Sequence, residues 1–351
     1  MAVFDSKIFN DEVFGKYLET VPRVKQNALL KAGVLRSRTD LKQMLNDQTG
    51  GNFITVPMTG LIGGDPLNYD GDTDITATSV DTYAQSMIVV GRAKAWQEKD
   101  FSFEVTGHDF MADIANQVGA YWDDVDQATI LSILKGIFGV STDSFSTNHT
   151  LDITTAANAA DQVVGPATLN SAVQKAAGAN KNLFTAAIMH SQVATNLENL
   201  QILTYWKETD ANGVQKPVAL ASWNGRTVLI DDDVPTEDVA ASGNDPAYTK
   251  YTTYILGQNA FDYCDCGAKV PNEVARDAKT DGGIDVLYTR QRKLFAPRGF
   301  SFVQPSTPIL SPTNAQLETA ARWTVVKNSA SSNNTYFNSK AIPFARIISK
   351  G

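Results

Sequence analysis

The stretch from Asp109 to Phe138 constrains the fold of this chain most. Met111, Ile114, Ala115, Val118, Trp122, Val125, Thr129, Ile133, Leu134 and Ile137 recur at i, i+3, i+4 and i+7, the spacing of a helix with one buried stripe. The spacing predicts one uninterrupted helix of about eight turns. Its expected core residues are Met111, Ile114, Val118, Trp122, Val125 and Ile133, with Trp122 as a buried anchor. Asp109 suits an N-cap, Gly107 lets the chain turn into it, and Gly136 and Gly139 punctuate the end. Helices of this length are rare in compact enzymes; one crossing a whole subunit suits a plate that tiles.

Composition narrows the classes. The 351 residues suffice for two domains or one elaborated one, and 43% hydrophobic against 19% charged residues can bury a sizeable core. A net charge of −8 argues against tight nucleic-acid binding, which normally comes with a basic surface. No apolar run follows Met1-Ala2-Val3-Phe4-Asp5, so no signal peptide is expected, and no run is long and apolar enough for a membrane helix. Cys264 and Cys266, two apart on an expected strand, are poorly placed for an unstrained disulfide and lack partners for zinc, so they read as small buried hydrophobes.

Residues 1–50 look like an arm. Val13, Phe14, Tyr17 and Leu18 suggest one short amphipathic helix, and Val24, Ala28, Leu29 and Leu30 a second, with Arg23, Lys25, Lys31, Arg36, Arg38 and Lys42 as a basic cluster. Such a cluster is either a solvated helix face or an arm lying across a neighbour. Phe53 to Pro57 and Ser86 to Val90 read as strands joined by a long polar segment. From Gly60 to Val90 the chain carries Asp65, Asp70, Asp72, Asp74 and Asp81 and no Lys or Arg. An extended hairpin of this kind cannot build its own core and must lie on something else. Asp70-Gly71-Asp72-Thr73-Asp74 alternates carboxylates as a calcium loop does, but the closing Glu of that pattern is missing. Further on, Pro166–Ala177 and the segment after His190-Ser191 read as helices, alternating with strands at Leu183–Met189, Thr227–Ile230 and Thr252–Gly257, an α/β layer. The segment from Asp238 to Lys250 reads as a polar insert, Ser311-Pro312-Thr313 as a helix start, and the tail from Ala341 to Ile348 as an apolar strand.

Enzyme motifs are absent or weak. There is no Walker A loop, Gly-x-Ser-x-Gly or His-Glu-x-x-His. Ser132-Ile133-Leu134-Lys135 matches Ser-x-x-Lys by spacing but lies inside the long helix without a partner motif. Asp231-Asp232-Asp233 after an apolar strand reads as a solvated strand end or a metal cluster, and His108, His149 and His190 form no constellation. A helix-start role suits His108 and His190. No catalytic residue, cofactor or metal site is expected.

Several segments, in order, resemble the major capsid proteins of tailed bacteriophages. These are Lys94-Ala95-Trp96, Gly107-His108-Asp109, Gly119-Ala120-Tyr121-Trp122 and Leu134-Lys135-Gly136-Ile137-Phe138 along the long helix and its entry. Ala187 to Ser191, Trp223 to Asp232, and Arg298-Gly299-Phe300 followed by Ser311-Pro312-Thr313, Leu317 and Trp323 continue the likeness. Phe110 departs from the Pro common at that position, and Asp238–Lys250 has no counterpart in the pattern.

The resemblance implies an α+β protein of the Hong Kong 97-like capsid fold. Its parts would be an N-terminal arm (1–50), an E-loop hairpin (51–95), a P-domain with the spine helix (96–160), an α/β A-domain (161–290) and a return to the P-domain (291–351). It further implies self-assembly into an icosahedral shell of pentamers and hexamers holding double-stranded DNA with weak, non-specific contact. Portal, a separate scaffolding protein and decoration proteins would be partners, membranes would not, and assembly would occur in the bacterial cytoplasm before incorporation in the virion. Expected inter-subunit contacts are Asp65, Asp70, Asp72, Asp74 and Asp81 against Arg23, Lys25, Arg36, Arg38 and Arg298, with Arg290, Arg292 and Lys293 adding to the basic side. Some members of this fold carry Lys–Asn crosslinks; here no lysine lies between Lys42 and Lys94, so the hairpin lacks the nucleophile. An encapsulin-like compartment with an enzyme cargo and an α/β-class enzyme are the rival readings.

Overall fold

The computed structural model describes residues 33–47, 51–60, 65–72, 74–75, 77, 82–106, 110–209, 215–241, 246–328 and 335–351. The first part of the chain runs β1 (Leu35–Ser37), α1 (Thr39–Asp47), β2 (Phe53–Thr59), β3 (Thr82–Lys99), α2 (Asp100–Thr106) and α3 (Phe110–Ile137). The middle holds α4 (Phe145–Asn148), β4 (Thr150–Asp152), α5 (Thr168–Ala177), β5 (Phe184–Met189), α6 (Ser191–Asn199), β6 (Thr204–Thr209), β7 (Gln215–Trp223), β8 (Arg226–Ile230), β9 (Thr236–Val239) and β10 (Tyr248–Gly257). The last part holds β11 (Phe261–Asp265), β12 (Asn272–Asp277), β13 (Ile284–Pro297), β14 (Phe300–Phe302), α7 (Asn314–Leu317), β15 (Trp323–Val325), β16 (Lys327–Asn328), β17 (Thr335–Tyr336) and β18 (Phe344–Lys350).

Two sheets dominate. The first has the order β1-β11-β13-β3-β2, with β12 added along the start of β13. Its spine is the antiparallel pair β3–β13, in register from Ile284 opposite Lys99 to Leu294 opposite Val89. The second has the order β4-β18-β10-β5-β8-β7-β6, with β9 on β10. Here β5 and β8 run parallel, as the strand–helix–strand alternation requires.

The sheets do not follow the segment boundaries expected above. β11, β12 and much of β13 fall within 161–290 yet belong to the first sheet. The final strand, expected to return with 291–351, is inserted in the second sheet between β4 and β10. Its burial explains why: Ala345 and Ile347 join the core under α5 and α6, while Phe344 on the opposite face joins the core shared with α3. A strand covered on both faces reads as a plain apolar run and carries no sign of which sheet it joins. The stretch 238–250, expected as a polar insert, has strands at its described ends, β9 pairing antiparallel with the start of β10.

The long helix forms over almost the expected span, but not with one evenly buried stripe. From Asp126 to Phe138 it is buried on nearly every side, with Ile130, Ile133, Leu134 and Ile137 inaccessible. Before that, Ile114, Val118, Trp122 and Val125 are only half-buried. The side chain of Met111 lies outside the described residues. The second half is enclosed because both sheets close on it and α7 closes the end. A Cβ at Gly136 would strike the Leu317 carbonyl oxygen and the Trp323 indole nitrogen, which themselves hydrogen-bond at 2.7 Å. Gly136 therefore admits a close crossing rather than ending the helix. The first half is touched by Trp96 of β3, whose ring meets Tyr121 edge-on at 5.3 Å.

A third, smaller core pins α1. Leu41 and Leu45 pack with Ile54, Met87, Val89, Leu294 and the two cysteines, which are buried as expected.

Candidate assembly surfaces and the clamps behind them

The acidic hairpin leaves the body where the β2–β3 ladder ends, at Thr59 opposite Thr82. The base is held by Gln85, which is buried and donates to the carbonyl oxygens of Pro297 (2.9 Å) and Phe300 (3.0 Å). Beyond it Asp65, Asp70, Asp72 and Asp74 are all exposed, and Asp81 lies outside the described residues. Apolar side chains stand in water beside them: Tyr69 is 90% exposed, Ile75 79% and Leu67 50%. Such groups form an exposed apolar patch among carboxylates on a segment with no core of its own.

The expected basic counterparts are placed differently. Arg23 and Lys25 lie outside the described residues. Arg36 is engaged within the chain, its Nε 2.7 Å from Asp262 Oδ1 and its Nη2 3.1 Å from Asp262 Oδ2. Arg38 reaches the same carboxylate at 3.3 Å and also pairs with Asp40. These two arginines lock β1 onto β11, so their charge is already engaged within the chain. Arg290 likewise pairs with Glu273 at 3.1 Å, and Arg292 donates to the Asn52 side-chain oxygen. Arg298 is half-buried at the turn between β13 and β14, its backbone N–H donating to Ala260 at 2.9 Å.

A second exposed apolar feature is held rigidly. The segment before α7 is strapped across β3: Ser311 Oγ accepts from the Gly91 N–H at 2.9 Å, and Arg92 donates to the Pro312 carbonyl oxygen at 2.8 Å and to Asn314 Oδ1 at 2.7 Å. Asn52 donates to the Leu310 carbonyl oxygen at 2.7 Å. The Leu310 side chain is nevertheless 75% exposed. A Thr313–Gln316 capping box then starts α7, as the Ser311-Pro312-Thr313 pattern predicted.

Behind these surfaces lies a cluster that sequence reasoning missed. Asp126 and Gln127, consecutive on α3, are both buried. Asp126 turns to the first sheet, where its Oδ1 accepts from Gln291 Nε2 at 3.0 Å and its Oδ2 pairs with Lys293. Burial pushes the Asp126 carboxyl pKa up, while the Lys293 ammonium pulls it back. Gln127 turns to the second sheet and donates to Asp231 Oδ2 at the end of β8. Asp231 Oδ1 accepts from the Asp233 N–H at 3.0 Å, and the residue is 3% exposed. Asp231 is thus not the solvated strand end that its triplet suggested. The visible signal was the polar pair Asp126-Gln127, set between the apolar Val125 and Ile130.

The remaining polar candidates have structural partners. His190 caps α6, its Nδ1 accepting from the Gln192 N–H at 3.1 Å, as expected. His108 lies outside the described residues. His149 is buried, donates from Nδ1 to the Phe344 carbonyl oxygen at 2.6 Å, accepts at Nε2 from Ser339 Oγ at 2.8 Å and stacks on Phe145. Burial lowers its pKa and favours the neutral ring. Ser132 is turned back to its own helix, donating to the Ala128 carbonyl oxygen at 2.9 Å, and Lys135 pairs with Glu318 at 2.6 Å, so the two do not form an acylation pair. Among the described residues no three His, Cys, Asp or Glu converge on a metal position, and no helix is long and apolar enough to cross a membrane.

No family model matches the chain. Over 318 residues it is 25% identical to the major capsid protein of Bacillus phage SPP1, covering 91% of this chain and 92% of that protein. Its fold is similar to the capsid of Ralstonia phage GP4, with a TM-score of 0.58 at 12% identity over 91% of this chain and 88% of that one. The capsid of cyanophage Pam1 gives 0.52 at 11% identity over 93% and 92%. The chain is thus similar, along nearly its whole length, to structural capsid proteins of phages. It has the α+β Hong Kong 97-like fold, and neither the compartment nor the enzyme reading gains support.

Proposed function

We propose that this chain is a phage major capsid protein and forms an icosahedral shell of pentamers and hexamers around double-stranded phage DNA. The observation that carries the reading is the near full-length likeness to a phage major capsid protein. In this reading the β2–β3 hairpin is the E-loop, α3 the spine of the P-domain, and the second sheet with α5 and α6 the A-domain. The hairpin's exposed carboxylates, with Tyr69 and Ile75, lie on a neighbouring copy. Repeated heterologous contacts of this kind close into rings, and a closed shell needs two ring sizes. The net charge of −8 suits a container that holds DNA without gluing it down. Portal and scaffolding proteins, and decoration proteins on the outside, complete the head, which is assembled in the bacterial cytoplasm.

The test is to produce the protein with and without a candidate scaffolding protein and image it by negative stain. Closed shells of one size class are expected. Persistent monomers under both conditions, or particles filled with a protein cargo in place of DNA when purified from infected cells, would overturn the reading.

A further inference from the structure

We propose that Asp126 and Gln127 fix the angle between the two sheets and thereby set the size of the shell; the inference rests on the shell-forming function proposed above. Consecutive helical residues point about 100° apart. Here that divergence sends one side chain to β13, through Gln291 and Lys293, and the next to the end of β8, through Asp231. One turn of one helix thus grips both sheets.

The apolar core alone cannot fix the angle. Ile188 and Leu256 of the second sheet and Phe295 and Phe300 share one cluster with α3. Apolar burial is non-directional, so small rotations cost it little. A buried hydrogen bond is different, because a partner displaced out of range leaves a desolvated polar group. Donor–acceptor distances tolerate about 0.5 Å. At a layer spacing of roughly 10 Å that slack corresponds to about 3°. A strand as long as β13, 14 residues, extends about 45 Å. Its far end at Ile284 lies about 25 Å from the grip at Gln291 and Lys293, so a rotation of about 3° moves that end by roughly 1 Å, enough to change how the next subunit meets it. Rotating either sheet about α3 strains the Asp126 contact or the Gln127 contact, so the pair acts as a stop in both directions.

The experiment exchanges acid and amide. Gln127→Glu sets a second carboxylate against Asp231 and forces the helix and the second sheet apart. Adding Asp231→Asn restores one acid and one amide across the gap, while the Asn side-chain oxygen still accepts from the Asp233 N–H. The full-length protein is assembled and particle diameters are measured by electron microscopy, with thermal melting of unassembled subunits as the folding control. The single variant is expected to lose the wild-type size class, giving broadened diameters, tubes or open sheets, and the double variant to recover it. Gln127→Met, nearly isosteric and neutral, provides the same readout should the glutamate prevent folding. Wild-type diameters from a folded single variant, or a double variant as disturbed as the single, would overturn the proposal. Failure of the wild-type protein to form shells would instead count against the proposed function.

Discussion

The two halves of α3 share one sequence rhythm and meet different environments. From Asp126 onward the helix is enclosed by both sheets, α7 and Trp323. Before Asp126 the same periodicity yields Ile114, Val118, Trp122 and Val125, all half-exposed. Among the described residues, the first half therefore carries apolar side chains that are only partly covered. The comparison teaches that an even apolar rhythm does not by itself mean even burial along a helix, and the proposed shell predicts that another copy covers the remainder.

The strongest break of this contrast is Ile133→Ala, in the enclosed half. It should cost the unassembled subunit about 2–5 kcal/mol, because a fully buried aliphatic side chain is lost and a cavity remains. Urea denaturation measures it; wild-type stability would mean that the helix is not held where it is most buried.

A second break works through pH. His149 packs on Phe145, which meets Phe138 at the end of the enclosed half. Its pKa is lowered from 6.5 by burial. The unfolded chain then binds more protons than the folded one below about pH 6.5, so stability is full above that pH and declines as pH falls. His149→Gln should flatten that decline in the subunit's thermal stability between pH 7 and pH 5; an unchanged slope would place the titrating group elsewhere.

Trp122→Ala sharpens the contrast from the other side. Because Trp122 is half-buried, the loss for the unassembled subunit should be about 1–2 kcal/mol, less than for Ile133→Ala, while assembly yield falls clearly. Equal stability losses for the two variants would erase the distinction between the halves.

The hairpin offers a milder version. Reversing Asp70, Asp72 and Asp74 to Lys should leave subunit stability unchanged and weaken assembly, more so at low salt, by about 0.2–1 kcal/mol per exposed pair. Assembly yields that do not vary across a salt series would remove charge from the account of that contact.

The smallest effect expected is none. With no lysine between Lys42 and Lys94, mature particles should run on denaturing gels as one band near 38.0 kDa. A ladder surviving reductant would reveal a crosslinking lysine elsewhere.

What could be read in the sequence was local. The helix at 110–137 was legible from its rhythm, and the starts at His190 and Thr313 from residues whose side chains bond two or three positions on. Pairings between distant segments left no local trace. Arg36 and Asp262 stand 226 positions apart, so the arm's cations looked free when Arg36 and Arg38 were already engaged. The place of β18 in the second sheet was equally hidden, because a strand buried on both faces shows apolar character without a partner's address. The hairpin's described carboxylates are exposed as its composition suggested, whereas Asp126 and Gln127 were passed over because polar residues in a helix read as its solvated side, and Asp231 was read as a strand end when it is buried.

Hydrogen exchange on α3, compared between unassembled subunits and closed shells, tests the central claim most directly. Amides from Asp126 to Ile137 should be protected in both states, while those from Ile114 to Val125 should exchange readily in the free subunit and become protected only in the shell. Equal protection of both halves in the free subunit, or no gain in the first half on assembly, would contradict the account.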